Sequence, residues 1–169
     1  MTTETFLQIK AILDKANVDY THLTHEYVRT SEDAAKIRGT KIEDAAKAII
    51  LKTEQKDNSD NNTNNTFDFI QAVIPANERI DLKKLKILLG SKNVSLASPD
   101  EVLQRTGCTV GSVPPFGKLF NISMYIDESI LKKDFIVFSA GTHNDSIQMK
   151  VADYLTILEP KVVEFKKVY

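Results

Sequence analysis

The run Thr109-Val110-Gly111-Ser112-Val113-Pro114-Pro115-Phe116-Gly117-Lys118 can continue neither a helix nor a central strand. Proline fixes its own φ and has no N–H, while glycine reaches φ values that other residues avoid. Such a segment makes a stiff, shaped loop whose free backbone groups can face a ligand. Taken alone, the same residues are also ordinary turn chemistry. Two other segments share its character: Ala45-Ala46-Lys47-Ala48-Ile49-Ile50-Leu51 upstream and Ser139-Ala140-Gly141-Thr142-His143-Asn144 downstream. Each brings a polar or Gly/Pro element to the edge of an apolar run.

Outward from these segments, Phe6, Ile9, Ile12 and Leu13 recur at helical spacing and predict an amphipathic helix over 5–16. Residues 18–27 read as extended. Thr30 with Asp33 opens a short helix that Gly39 ends, and 42–46 reads as one helical turn or a turn-like approach to the next strand. Strands are expected over 46–53 and 67–74. The polar, Asn-rich run 54–66 between them cannot bury enough apolar surface to order itself, and reads as an expanded hairpin loop away from the chemistry.

Asp81 and Gly90 bracket a helix over 82–89, and 94–97 is a short strand. Ser98-Pro99-Asp100-Glu101 starts another helix, ending near 105–107. Strands around 119–126, 135–139 and 147–149 follow, then a short helix at 151–154. Mixed strands and short helices without a β-α-β rhythm imply an α+β fold: one domain over 1–169, with a mixed, curved sheet and packed helices.

The chain has 169 residues, 42% of them hydrophobic and 27% charged, which suits one soluble domain with a real core. Cys108 is the single cysteine, so no internal disulfide can form and a reducing, cytoplasmic setting is expected. No signal segment or membrane span is read, and no membrane partner is expected. A net charge of −1 argues against a protein that coats nucleic acid electrostatically. A local basic rim remains open, with Lys83, Lys84, Lys86, Lys92, Lys118, Lys132 and Lys133 as candidates or as solvated faces.

Read from the residues alone, Lys47 is either an edge-strand lysine facing water or a cation opening on a cleft. His143 is a loop residue after a strand. Cys108 has no nucleophile signature around it, and three scattered histidines have no metal-ligand spacing, so neither thiol catalysis nor a metal is expected. There is no Gly-x-Gly-x-x-Gly and no phosphate loop, hence no cofactor.

In order, the chain carries Tyr20-Thr21-His22-Leu23-Thr24-His25-Glu26-Tyr27, Thr30-Ser31-Glu32-Asp33-Ala34-Ala35 and the Lys47 strand. Val73-Ile74-Pro75, Gly111-x-x-x-Pro115-Phe116-Gly117, Tyr125-Ile126-Asp127-Glu128 and Ser139-Ala140-Gly141-x-His143 follow. This ordered set, spanning about 20–154, resembles the YbaK/prolyl-tRNA synthetase editing-domain superfamily, whose members hydrolyse mischarged aminoacyl-tRNA. The resemblance implies a free-standing deacylase acting on the acceptor end of aminoacyl-tRNA, with docking on prolyl-tRNA synthetase left open.

By resemblance, Lys47 holds the terminal adenosine and steadies developing negative charge. Gly141 and His143 shape a small pocket. Gly111, Pro115 and Phe116 form a rigid wall, Tyr27 lines the cleft or is a buried structural tyrosine, and Ser139 bonds to substrate. His22 is left at the surface. The superfamily mechanism implies a water placed by the substrate's own ribose hydroxyl. The Gly-x-His element favours alanine on tRNA(Pro) as the group removed; cysteine, serine or threonine, a non-catalytic module that binds aminoacyl-tRNA or a synthetase, or an unrelated small-molecule hydrolase are the alternatives.

Overall fold

A stripe of Phe6, Ile9 and Leu13 is what buries the first helix, α1 (Glu4–Ala16), capped by the Thr3 hydroxyl and closed by Asn17 in the left-handed region. The structure, a computed structural model, describes residues 3–28, 30–55 and 66–169. After α1 come β1 (Tyr20–Thr24), α2 (Ser31–Arg38), a 3-10 turn (Ile42–Asp44) and the long hairpin β2 (Ala46–Gln55) and β3 (Thr66–Pro75). Then follow α3 (Leu82–Leu89), β4 (Asn93–Leu96), α4 (Pro99–Thr106), β5 (Ser123–Asp127), β6 (Phe135–Ser139), β7 (Asp145–Lys150), α5 (Val151–Leu158) and β8 (Lys161–Val163).

The described strands form a five-stranded mixed sheet in the order β4-β2-β3-β5-β8 and a three-stranded antiparallel sheet β1-β7-β6. β3 pairs antiparallel with β2 and parallel with β5. That central place explains its nearly unbroken apolar run, since both faces are covered. A parallel bridge between Ala45 and Val137 joins the two sheets where β2 begins. The largest core cluster packs α1, β5–β7 and α5 around Phe116, Phe138 and Tyr154. The α+β expectation holds.

Boundaries differ where long-range partners decide them. β2 runs on to Gln55 because Glu54 faces Phe67 and Asn93 and its carboxylate pairs with Lys92. The rest of the expected hairpin loop, 56–65, lies outside the described residues. The strand expected from 119 starts at Ser123, because Gly117–Phe120 winds a 3-10 turn that Asn121 ends at φ 54. α5 continues past Tyr154 to Leu158, since Leu158 also reaches the core. β8 was not expected; three residues carry no periodicity to read.

Candidate active site

The start of β2 forms the floor of a cavity of about 260 Å³ at the junction of the two sheets. Thr30 and Ala34 of the α2 region stand on one side, Ala97 and Val102 on another, and Val110, Gly111 and Val113 on a third. Ser139, at the end of β6, completes the rim. Three of the predicted residues, Lys47, Gly111 and Ser139, therefore share one lining.

Lys47 is half-buried, and its Nζ donates to the Ala76 carbonyl at 3.1 Å. An ammonium has three donors, so two remain for a ligand. Burial lowers its pKa from the usual lysine value, and the Arg79 charge adds to that against Glu78 and Glu32. Among the described residues Lys47 is the sole titratable side chain in the lining. The Ser139 side chain makes no hydrogen bond with the described residues, whereas the Thr30 hydroxyl is committed to capping α2.

The proline loop is held from beneath. Gln71 Nε2, buried in β3, donates to the Pro114 carbonyl at 2.9 Å, and the Tyr154 hydroxyl donates to the Pro115 carbonyl at 2.7 Å. Phe116 is fully buried against Phe138 and Tyr154, with ring centroids 5.4 and 6.1 Å away. Pro115 and Phe116 thus sit under the loop as its anchors, while Gly111, at φ 89, presents its backbone to the cavity. Sequence reasoning missed Gln71 and Tyr154. A lone amide in the apolar β3 run was the available signal for Gln71; Tyr154 offered none beyond its helical face.

His143 and Tyr27 lie in an adjoining recess rather than in the main lining, sharing Val110 with it. His143 Nδ1 faces the Val28 carbonyl at 3.0 Å, so it carries the proton. Nε2 then accepts from the Thr109 hydroxyl, also at 3.0 Å. The imidazole latches together three loops, those of Val28, Thr109 and 142–145. Its ring lies 4.8 Å from that of Tyr27, which is exposed.

Gly141 donates its N–H to the Ser112 carbonyl at φ +96, and a Cβ there would stand 2.9 Å from Thr5 Cβ. Its role in this geometry is close packing of the loop on α1. His22, left at the surface, pairs with Asp145 at 2.7 Å. Cys108 is buried, which pushes its thiol pKa up and leaves it unsuited to act as a thiolate.

The family described as aminoacyl-tRNA editing domain matches residues 25–157, which include the whole cavity. The chain belongs to that family. This editing domain is therefore an ester hydrolase of the aminoacyl-tRNA deacylase class, as the motif order implied. It is 34% identical over 164 residues to the multifunctional Ser/Thr-tRNA deacylase ProXp-y of Escherichia coli K12, covering 96% of this chain and 93% of that one. It is 23% identical over 162 residues to the prolyl-tRNA editing protein ProX of Acetoanaerobium sticklandii, covering 94% and 93%. In fold it matches a crystal structure of a candidate trans-editing enzyme for prolyl tRNA synthetase. The TM-score is 0.79, identity is 20%, and 99% of this editing domain and 100% of that chain are covered. No helix among the described residues is long and apolar enough to cross a membrane.

Proposed function

We propose that this editing domain acts in trans on mischarged tRNA and hydrolyses the ester of a small wrong amino acid. The observation that carries the reading is the lining itself, a small, largely apolar cavity in which Lys47 is the sole titratable group among the described residues. An aminoacyl ester is activated, so orientation and fixed charge suffice without a covalent nucleophile. Lys47 holds the phosphate or ribose of the terminal adenosine. The Gly111 loop, immobilised through Gln71 and Tyr154, offers backbone donors to the ester carbonyl. A water placed by the substrate's ribose hydroxyl attacks the carbonyl carbon. The bond to the ribose oxygen breaks, that oxygen takes the proton, and free amino acid and uncharged tRNA leave.

Alanine on tRNA(Pro) fits by size, and a larger, ring-closed proline is rejected sterically. A second reading, serine or threonine, has a specific observation behind it. Gly141 and His143, which suggested alanine, stand outside the main lining, whereas the uncommitted Ser139 hydroxyl stands inside it. A methylene discriminates by only about 1–3 kcal/mol, while a site built to bond a substrate hydroxyl rejects the analogue lacking it far more strongly. The relative that acts on Ser/Thr-tRNA supports the same choice, and we favour it. Docking on prolyl-tRNA synthetase stays part of the proposal as a route to its tRNA.

The test is single-turnover hydrolysis of Ala-, Ser-, Thr-, Cys- and Pro-tRNA(Pro) by wild type, Lys47→Ala and Ser139→Ala. Serine and threonine should go fastest, with proline spared. Lys47→Ala should cost about 10²-fold, the scale of one lost stabilising contact to developing charge. Ser139→Ala should narrow the serine-over-alanine preference. Unchanged turnover in Lys47→Ala would sink the site assignment.

A further inference from the structure

Beside the main cavity lies an open recess of about 390 Å³ that the deacylation chemistry does not use. Tyr27, 58% exposed, lines it together with Leu103 and Val110, 49% and 58% exposed. Thr109 and the latched His143 close the end. Asp100, in the first turn of α4, is the one carboxylate in the lining among the described residues. Val110 lines both spaces, so the recess adjoins the cavity.

We propose that this recess binds the base of the penultimate nucleotide of the tRNA, the cytosine that precedes the terminal adenosine. The inference rests on the deacylase reading of the main cavity, which places the adenosine beside it. Exposed aromatic and aliphatic walls suit a flat, apolar face, and stacking on an aromatic side chain is a common way to hold an unpaired base. A phosphate is disfavoured here, because among the described residues the formal charge in the lining is the Asp100 carboxylate. That charge instead suits a base edge with an exocyclic amino group, and a carboxylate accepts from cytosine N4. Uracil presents an oxygen at the same place and would be repelled. His143 is held through its two ring nitrogens by the Val28 carbonyl and the Thr109 hydroxyl, so it supports the Tyr27 ring from a fixed position.

The probes are adenosine, the trinucleotide CCA and the trinucleotide CUA, each chemically acylated at its 3′ end with an amino acid that wild type removes from tRNA. Wild type should prefer acyl-CCA to acyl-adenosine by about tenfold in kcat/KM, chiefly through KM, and the gain should shrink with CUA. Tyr27→Ala should cut the CCA-to-adenosine ratio about tenfold, and Tyr27→Phe should restore most of it because the stacking ring is kept. Asp100→Asn should narrow the CCA-to-CUA preference, since an amide can donate to uracil. Equal kcat/KM on all three probes in wild type would overturn the subsite and leave the deacylase reading standing. An equal fractional loss on all probes in Tyr27→Ala would also overturn it, by assigning the ring a structural role. Failure of wild type to hydrolyse any aminoacyl-tRNA or any probe would overturn both readings together.

Discussion

The imidazole of His143 donates from Nδ1 to the Val28 carbonyl and accepts at Nε2 from Thr109, so both ring nitrogens are engaged by the protein. His143→Ala should therefore slow deacylation by loosening three loops, with the shape of the pH–rate profile kept. It should also lower stability by about 1–2 kcal/mol for the lost hydrogen bonds. A thermal melt beside single-turnover rates from pH 5 to 8 checks both; disappearance of a titrating limb near the histidine range would restore a general-base role. Lys47 was legible because a charge stands out in an apolar strand, and the cost of burying it demands a partner. Pro115 and Phe116 were legible as part of a motif. Their placement under the loop was not, because it depends on Tyr154, Phe138 and a carbonyl-to-hydroxyl bond from α5.

At the scale of elements, the caps were the most readable feature. Thr30, Asp81 and Ser98 each accept from the backbone N–H three residues on, and Gly39, Gly90 and Gly107 each close a helix in the left-handed region. α4 carries the full reciprocal box, with Glu101 returning to the Ser98 N–H and also pairing with Lys52. Ser98→Ala should cost about 1 kcal/mol, a fall of roughly 2–4 °C in Tm for a chain of this size. Because Asp100 and Leu103 ride on the same helix, the variant should also weaken binding of acyl-CCA; a melt and a KM measured together would show it. The 3-10 turn at Gly117–Phe120 and strand β8 escaped such reading. A turn of four residues and a strand of three are decided by what they pack against.

Over the whole molecule, Asp127 fastens the C-terminal segment to the end of β5. Its carboxylate is buried and accepts from the Ser129 hydroxyl and from the backbone N–H groups of Ser129, Phe165 and Lys166. Burial alone would raise its pKa, but these four donors outweigh it and hold the carboxyl below its usual range. A depressed folded pKa means stability that is present above the unfolded value and lost as pH falls through the folded one. Asp127→Asn should thus cost about 1–3 kcal/mol at pH 7, with the gap to wild type closing below about pH 4. Urea melts at pH 7, 5 and 3 measure that gap; a constant difference across the three would remove the ionic account.

What the amino-acid order by itself determined is local: helices bounded by caps, strands by apolar runs, a stiff proline loop, and one cation set in an apolar strand, where it needs water, a polar partner or a cleft. These follow from backbone sterics and from hydrogen bonds spanning three or four residues, so they can be read along the chain. The ordered motifs also carried the family. Only the tertiary structure decided which motif residues share the cavity, with Lys47, Gly111 and Ser139 inside, Tyr27 and His143 next door, and Pro115 and Phe116 beneath. Those placements depend on partners far away in sequence, such as Gln71 for Pro114, Tyr154 for Pro115 and Thr109 for His143, and distance along a chain carries no signal of who meets whom.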